Sequence, residues 1–344
     1  MKNSQIGGQA LMEGVMMRNG ARYACTIRTS DGRLEQKTED YKTIGGSEKL
    51  RQIPFVRGPI IFLDSMKLGM STLSWSASFF DEEDASGSTS KQIRAGNARP
   101  YAEEDTAGDA RPCAACPPPD AGEGGPPPKA VVGGGDSPQP LIMGASILFA
   151  LVLGIGLFLV LPTVLVKLMR GFISSTVLIS LLEGLIRMVI FVLYLILISQ
   201  MKEIKRVFMY HGAEHKSINC IEQGLPLTVE NAMKSSRFHK RCGTSFILFT
   251  LLVSILVGAF VPRDPLLLRI GLKLLLLPLV MSLSYEFIRL AGSTDNDLVC
   301  ALSKPGLWLQ RLTTREPETD MLEVAIASTK AVFDWKTWQE ENFE

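Results

Sequence analysis

The feature that most constrains the fold is a run of 26 residues without a charged side chain, from Leu141 to Val166. A helix of that length crosses the roughly 30 Å of hydrocarbon in a bilayer. Further apolar stretches at about 174–200, at about 244–262 and from there to about Leu290 predict three more spans. The sequence therefore predicts an α-helical polytopic membrane protein with about four transmembrane helices. The lipid bilayer is the partner that this prediction implies.

The distribution of positive charge predicts the orientation of these spans. The polar segment 201–243 carries eight Lys and Arg residues, whereas each of the two short turns between spans carries one or two. Loops rich in Lys and Arg stay in the cytoplasm. The polar start of the chain also predicts no secretory signal. With four spans, both termini are expected on the cytoplasmic side with this loop.

Composition divides the chain into seven segments. They are an N-terminal α+β segment 1–57, an interfacial or re-entrant helix 58–80, a linker 81–140, a first transmembrane hairpin 141–200, the loop 201–243, a second transmembrane hairpin 244–290 and a C-terminal tail 293–344. The first segment, the loop and the tail are expected to form a small cytoplasmic α+β cap.

Local patterns support this division. In the first segment, strand-like stretches at Tyr23–Thr29 and Arg33–Thr38 flank a glycine-containing turn and predict a hairpin. In the tail, Pro305 and Gly306 predict a break in a polar segment, and an amphipathic helix is expected from Asp320 to about Trp335.

The linker contains 19 Gly and Pro in 60 positions and almost no large aliphatic residues, which predicts disorder. Its Cys113 and Cys116 have no second pair at zinc-ribbon spacing, so we expect no metal there. The six cysteines of the chain are too scattered for a disulfide framework and are expected to be reduced. A net charge of +1 excludes a strongly basic nucleic-acid binder.

All three histidines of the chain lie within 29 consecutive residues of the polar loop. On a helix, His211 and His215 project from one face and can hold one metal ion. Glu214 stands where the carboxylate of an H-x-x-E-H motif acts on water. The nearby candidates for a third ligand are His239, Cys220, Cys242 and Glu222. The alternative is that paired histidines beside basic residues contact lipid phosphate.

A second polar group lies in the middle of the second predicted span, where Glu183 and Arg187 are four residues apart. Charges at that depth indicate a functional site unless they form an ion pair that determines helix packing, and both interpretations stay open. Lys273, Glu286 and Arg289 are nearer the ends of the fourth span and are expected to act as anchors.

Six separated blocks of the sequence resemble the YqhQ-like membrane proteins of bacteria. They are IGGQALMEGVMMR (6–18), PFVRG (54–58), LEGLIR (182–187), YHGAEHK (210–216), RCGTS (241–245) and PGLWLQRLTTRE (305–316). That family is a domain of unknown function whose members are often labelled predicted metal-dependent enzymes. The resemblance implies a protein of the bacterial inner membrane, and metal binding carried by His211, Glu214 and His215, together with His239 and Cys242.

Two functions from different classes follow. The first is a hydrolase that uses zinc or another divalent transition metal, with Glu214 as the base, on a membrane-protein or lipid substrate at the cytoplasmic face. Arg18 or Arg241 would stabilise the developing oxyanion. The second is a non-catalytic scaffold that assembles other membrane proteins, with a structural metal or none.

Overall fold

The computed structural model describes residues 3–42, 53–80, 148–150, 152–169, 175–262, 266–294 and 296–343. The described residues up to Phe80 and from Val152 onward belong to one compact unit. Residues 86–151 form a second unit, of which only 148–150 are described. The predicted linker 81–140, with Cys113 and Cys116, lies outside the described residues.

The N-terminal segment forms a four-stranded antiparallel sheet in the order β1-β2-β3-β4. The strands are Gly7–Leu11, Gly14–Asn19, Arg22–Arg28 and Leu34–Asp40. The predicted hairpin corresponds to β3 and β4, whereas β1 and β2 occupy a glycine-rich stretch for which the sequence predicted no strands. Both edge strands, β1 and β4, therefore lie at opposite sides of a small meander.

The rest of the described chain is mainly helical. The helices are α1 Arg57–Ala77, α2 Leu161–Met169, α3 Thr176–Ile198, α4 Lys202–Glu222, α5 Val229–Lys234, α6 Gly243–Gly258, α7 Leu266–Ser293, α8 Asp297–Thr313, α9 Thr319–Val332 and α10 Trp335–Phe343. A π-helical turn, Gly156–Val160, precedes α2. The amphipathic helix predicted in the tail corresponds to α9.

The sheet is covered on both faces, because side chains alternate between the two faces of a strand. On one face, apolar residues such as Val15, Met17 and Ala24 pack with Tyr210 of α4 and with α9. On the other face, residues including Met16, Cys25 and Ile27 pack against Leu68 of α1. This arrangement fixes α4, which carries the histidine pair, against the sheet.

Three helical segments of the described chain are long and apolar enough to cross a membrane: Leu148–Leu168, Val177–Ile198 and Gly271–Gly292. The helix α6 is apolar but has 16 residues, fewer than the roughly 20 that a span needs. Large apolar side chains on these helices are exposed, and Leu275 is 75% exposed. Apolar surface of this kind is compatible with a membrane protein.

The ion pair between Glu183 and Arg187 that the sequence suggested is present, and further residues join it. Glu183 Oε1 lies 3.2 Å from the Arg187 guanidinium and 3.2 Å from Lys273 Nζ. Thr163 donates to the same carboxylate oxygen, and Arg187 Nε donates to the carbonyl of Phe158 in the π-helical turn. Lys273, expected as an anchor, therefore joins a cluster that links α2, α3 and α7.

The break predicted at Pro305 and Gly306 is absent, since α8 runs through both residues. A Cβ at Gly306 would lie 2.9 Å from Ser245 Oγ of α6. Glycine thus allows α8 to pack closely against α6, with Leu309 fully buried in the contact region. Packing of this kind overrides the local preference of Pro for helix ends.

Candidate metal centre

The helix α4 brings His211 and His215 together as the sequence predicts. Their rings are one helical turn apart, with centroids 4.4 Å apart. From Gly212 to the end of α4 every residue is buried, so His215 is 1% exposed, whereas His211 remains partly accessible. The pair thus has one enclosed ring and one ring at a surface.

The third donor is Cys242, which immediately precedes α6. Its Sγ lies 3.3 Å from His211 Nε2, and one ligand atom from each of His211, His215 and Cys242 lies within 4.8 Å of the others. Among the described residues, this is the one group of three or more His, Cys, Asp and Glu side chains whose ligand atoms are close enough together to hold a metal ion. Two imidazoles and a thiolate are typical ligands of zinc and other transition metals.

Backbone carbonyls orient both histidine rings. His211 Nδ1 lies 2.8 Å from the Thr313 carbonyl, and His215 Nδ1 lies 2.6 Å from the Arg237 carbonyl. A ring nitrogen that donates to a carbonyl carries the proton, so the lone pair of the neutral ring is on Nε2. Histidines that bind metals are usually oriented in this way.

The protonation states of the cluster are coupled. Burial by itself would raise the pKa of Cys242, but His211 and His215 hold it well below its usual range. Burial would lower the pKa of His211, but the nearby Cys242 sulfur raises it to about 9. The position of Cys242 at the N-terminus of α6 also favours a thiolate. The cluster therefore offers sulfur in the form that binds metals.

Glu214 lies beside the cluster and, like His211 and Cys242, lines a cavity. Burial raises the pKa of its carboxyl, against the lowering effect of His215 and His211. The backbone N–H of Gly8 in β1 donates to the carboxylate. A Cβ at Gly8 would lie 2.8 Å from Glu214 Cγ, so glycine is needed for this approach.

The cavity has a volume of about 710 Å³. Its polar end contains His211, Glu214, Cys242 and Arg241. Its apolar walls come from α1, α6 and α7, with the residues Ile61, Phe62, Met66, Phe246, Ile247 and Ile288. A substrate in this cavity would place one polar group at the cluster and apolar parts along the helices.

The other candidate ligands are not part of this group, although the His239 ring packs beside the ring of His215, with centroids 5.6 Å apart. His239 Nε2 is 3.6 Å from Glu222 Oε2, and Glu222 also accepts from Arg241 and from the backbone and side chain of Ser4. The sulfur of Cys220 points at the carbonyls of Leu225 and Pro226 within the core. Of the sequence candidates for a third ligand, the geometry thus brings Cys242 to the histidine pair.

The two arginines that the sequence suggested also differ in position. Arg241 lines the cavity. Arg18 donates to the Gly20 carbonyl and stacks over the ring of Tyr41, and it is not among the lining residues that the structure describes. Arg241 is therefore the arginine that the cavity offers to a developing oxyanion.

Sequence reasoning missed the residues that hold the loop before Cys242. Gln310 of α8 accepts from the His239 N–H and donates to the His239 carbonyl and to Ser245. From α4, Lys216 and Asn219 donate to carbonyls of residues 233–238. The sequence indicated these residues by position alone: Gln310 and Lys216 lie within two of the six blocks, and Asn219 follows one of them.

Glu222 makes stability dependent on pH. Burial would raise its pKa, but His239 and Arg241 lower it to about 2. A carboxyl whose pKa is lowered by folding stabilises the protein above its unfolded pKa of about 4.3, and this contribution is lost as pH falls toward 2. We expect Glu222→Gln to melt at lower temperature than wild type at pH 6, with the difference shrinking toward pH 3. A constant difference in thermal melts would contradict this assignment.

Comparison with known proteins places the chain among uncharacterised relatives. A family model described as "Protein of unknown function (DUF1385)" matches residues 53–335. A protein of Bacillus subtilis, "Uncharacterized protein YqhQ", is 33% identical over 337 residues, which cover 98% of this chain and 94% of the relative. No solved structure matches.

Proposed function

The chain belongs to the DUF1385 family of proteins of unknown function, and from its site we propose that it is a metal-dependent hydrolase of the bacterial inner membrane. His211, His215 and Cys242 hold zinc or another divalent transition metal. The observation that carries the proposal is the orientation of the two histidines, whose Nδ1 atoms both bond to backbone carbonyls.

The residues present fit a catalytic metal. Catalytic zinc sites have three protein ligands and one open position, whereas structural sites are closed by four. Three donors converge here, and His211 and Cys242 both line the cavity. The side that faces the cavity is therefore left for water and substrate. A metal bound there supplies Lewis-acid activation of a water molecule.

The side chains around the donors supply the remaining chemistry. Glu214 takes a proton from the attacking water, whose oxygen forms a bond to the substrate carbonyl carbon. The bond from that carbon to the leaving nitrogen or oxygen then breaks, and Glu214 returns the proton to the leaving group. Arg241 lies in the cavity wall, where its charge stabilises the oxyanion.

The position of the site relative to the helices supports action at a membrane face. We treat α6 as a fourth span with α2, α3 and α7. Its 16 residues measure about 24 Å, and α6 packs against α3 and α7. The donor Cys242 directly precedes α6, at the end of the segment whose eight Lys and Arg favour the cytoplasm. Arg57 at the start of α1 pairs with Glu286 of α7, which favours an interfacial position for α1.

Metal content tests the proposal directly. We expect the detergent-purified wild type to contain about one transition metal per chain, measured by plasma mass spectrometry. Replacement of His211, His215 or Cys242 by Ala removes one of three ligands and should lower the content below about a tenth.

A matched control comes from a cysteine that the structure places outside the cluster. Cys220→Ala changes the same residue type as Cys242→Ala in the same region and should retain the metal. Wild-type protein without metal after purification in the absence of chelators would overturn the proposal. Equal loss in Cys220→Ala and Cys242→Ala would show that the cluster is not the site. Either result would favour the scaffold function.

A further inference from the structure

The strand β1 is an edge of the sheet that runs along the cavity. No other strand of the described chain pairs with its outer side. Gly8, Gln9 and Ala10 of β1 line the cavity together with Glu214. The sheet therefore presents a row of backbone groups to the space beside the metal centre.

The register shows which backbone groups face outward. Leu11 pairs with Gly14 across a two-residue turn, so this pair and the pair Gln9–Met16 exchange the hydrogen bonds of the hairpin. The N–H and C=O groups of the intervening residues, Gly8 and Ala10, then point away from β2. The hydrogen bond from the Gly8 N–H to Glu214 agrees with this direction.

From this geometry we propose that the substrate is a polypeptide in extended conformation, bound by addition of a strand to β1. The proposal rests on the hydrolase function proposed above and names its substrate class. A segment paired with the Gly8 carbonyl and with Ala10 runs past Glu214 and the metal donors. Its amide carbonyl is the group attacked, and its C–N bond breaks to give a carboxylate and an amine.

The walls of the cavity select the side chains of such a segment. Alternate side chains of a strand point to opposite faces, and one set meets Ile61 and Phe62 of α1 and Phe246 of α6. The Phe62 and Phe246 rings lie 5.7 Å apart and bound this part of the cavity. The segment therefore carries apolar side chains, as does an unfolded or extracted membrane segment.

The cavity offers few charged side chains to a phospholipid headgroup. A phosphate headgroup is bound by cations, and apart from the metal cluster itself the permanently charged cation among the described lining residues is Arg241. An uncharged amide backbone, in contrast, matches the donors and acceptors of the β1 edge.

The test measures binding of peptides to the metal-loaded full chain carrying Glu214→Gln, in nanodiscs, by fluorescence anisotropy. The probes are apolar peptides methylated at one backbone nitrogen at a time. Methylation removes one hydrogen-bond donor, and only every second N–H of an added strand points at β1. We expect about tenfold weaker binding at alternate positions and little change at the others.

A proline substitution tests the same edge from the protein side. Ala10→Pro removes an outward N–H and leaves the bonds to β2, because proline is tolerated where the N–H points off an edge strand. Thr38→Pro makes the matched change on the opposite edge, β4, since Thr38 pairs with Ala24 at a position of the same kind. We expect Ala10→Pro to weaken peptide binding about tenfold and Thr38→Pro to leave it unchanged.

The outcomes separate this proposal from the hydrolase function. Peptide binding without alternation, equal effects of the two proline variants, or no peptide binding would overturn strand addition. If the wild type then cleaves acyl esters or phospholipids, the hydrolase function stands with a lipid substrate. If the metal-loaded wild type hydrolyses none of the peptides, acyl esters or phospholipids, the hydrolase function fails. Peptide binding that alternates along the chain would still establish β1 as a peptide-binding edge.

Discussion

Glu214→Gln is expected to lower hydrolysis by about 10²–10⁴-fold, the usual contribution of a positioned general base. Glutamine has nearly the shape of glutamate and can still accept the hydrogen bond from Gly8, but it cannot take a proton from water. The carboxylate is not one of the three ligands that converge, so metal content and expression should not change. The measurements are turnover of a panel of peptide and ester substrates and metal analysis of the same preparation.

A matched control lies in the same loop. Glu230 is an exposed residue paired with Lys234, and Glu230→Gln should retain activity and metal. Complementation of a deletion strain gives a readout that needs no known substrate. Full complementation by Glu214→Gln would contradict a catalytic carboxylate and would favour the scaffold function.

Gly212→Ala is expected to disrupt the centre although Gly212 supplies no metal ligand. A Cβ at this position would lie 2.0 Å from the carbonyl oxygen of Arg315, which is backbone and cannot rotate away. The segment 313–317 must then move from α4, and the Thr313 carbonyl would leave His211 Nδ1. Overpacking of this kind costs typically about 1–3 kcal/mol. Thermal melting and metal content should both decrease.

Gly243→Ala provides the control for Gly212→Ala. A Cβ at Gly243 meets nothing within 4 Å, and Gly243 directly follows Cys242. The same substitution beside another donor should therefore leave stability and metal content near wild type. Equal behaviour of the two variants would show that the contact between α4 and Arg315 does not support the site.

The patterns that sequence analysis interpreted correctly are local ones. The helix periodicity of 211–215 placed both imidazoles on one face, and α4 has that form. The turn at Asp31 and Gly32 predicted β3 and β4. Each of these depends on residues a few positions apart, where the backbone geometry of a helix or hairpin determines the distances.

Local sequence patterns predicted the structure less well where contacts with distant segments override the local preference of a residue. Glycine is unfavourable inside a helix, but Gly212 lies within α4 and allows the Arg315 carbonyl to approach it. Pro305 was expected to break the tail segment and instead lies inside α8. Lys273 was expected near the lipid headgroups and instead reaches Glu183, 90 residues earlier in the chain.

By itself the sequence determined that long apolar helices are present, because length and hydropathy suffice for that, and that two histidines and a glutamate share a helix. Only the tertiary structure decided which of the candidate residues joins them. Cys242 approaches His211 because Gln310, Lys216 and Asn219 hold the preceding loop, contacts between segments far apart in the chain. The placement of β1 beside the cavity likewise results from packing of the sheet between α4 and α1, which no local pattern in the sequence encodes.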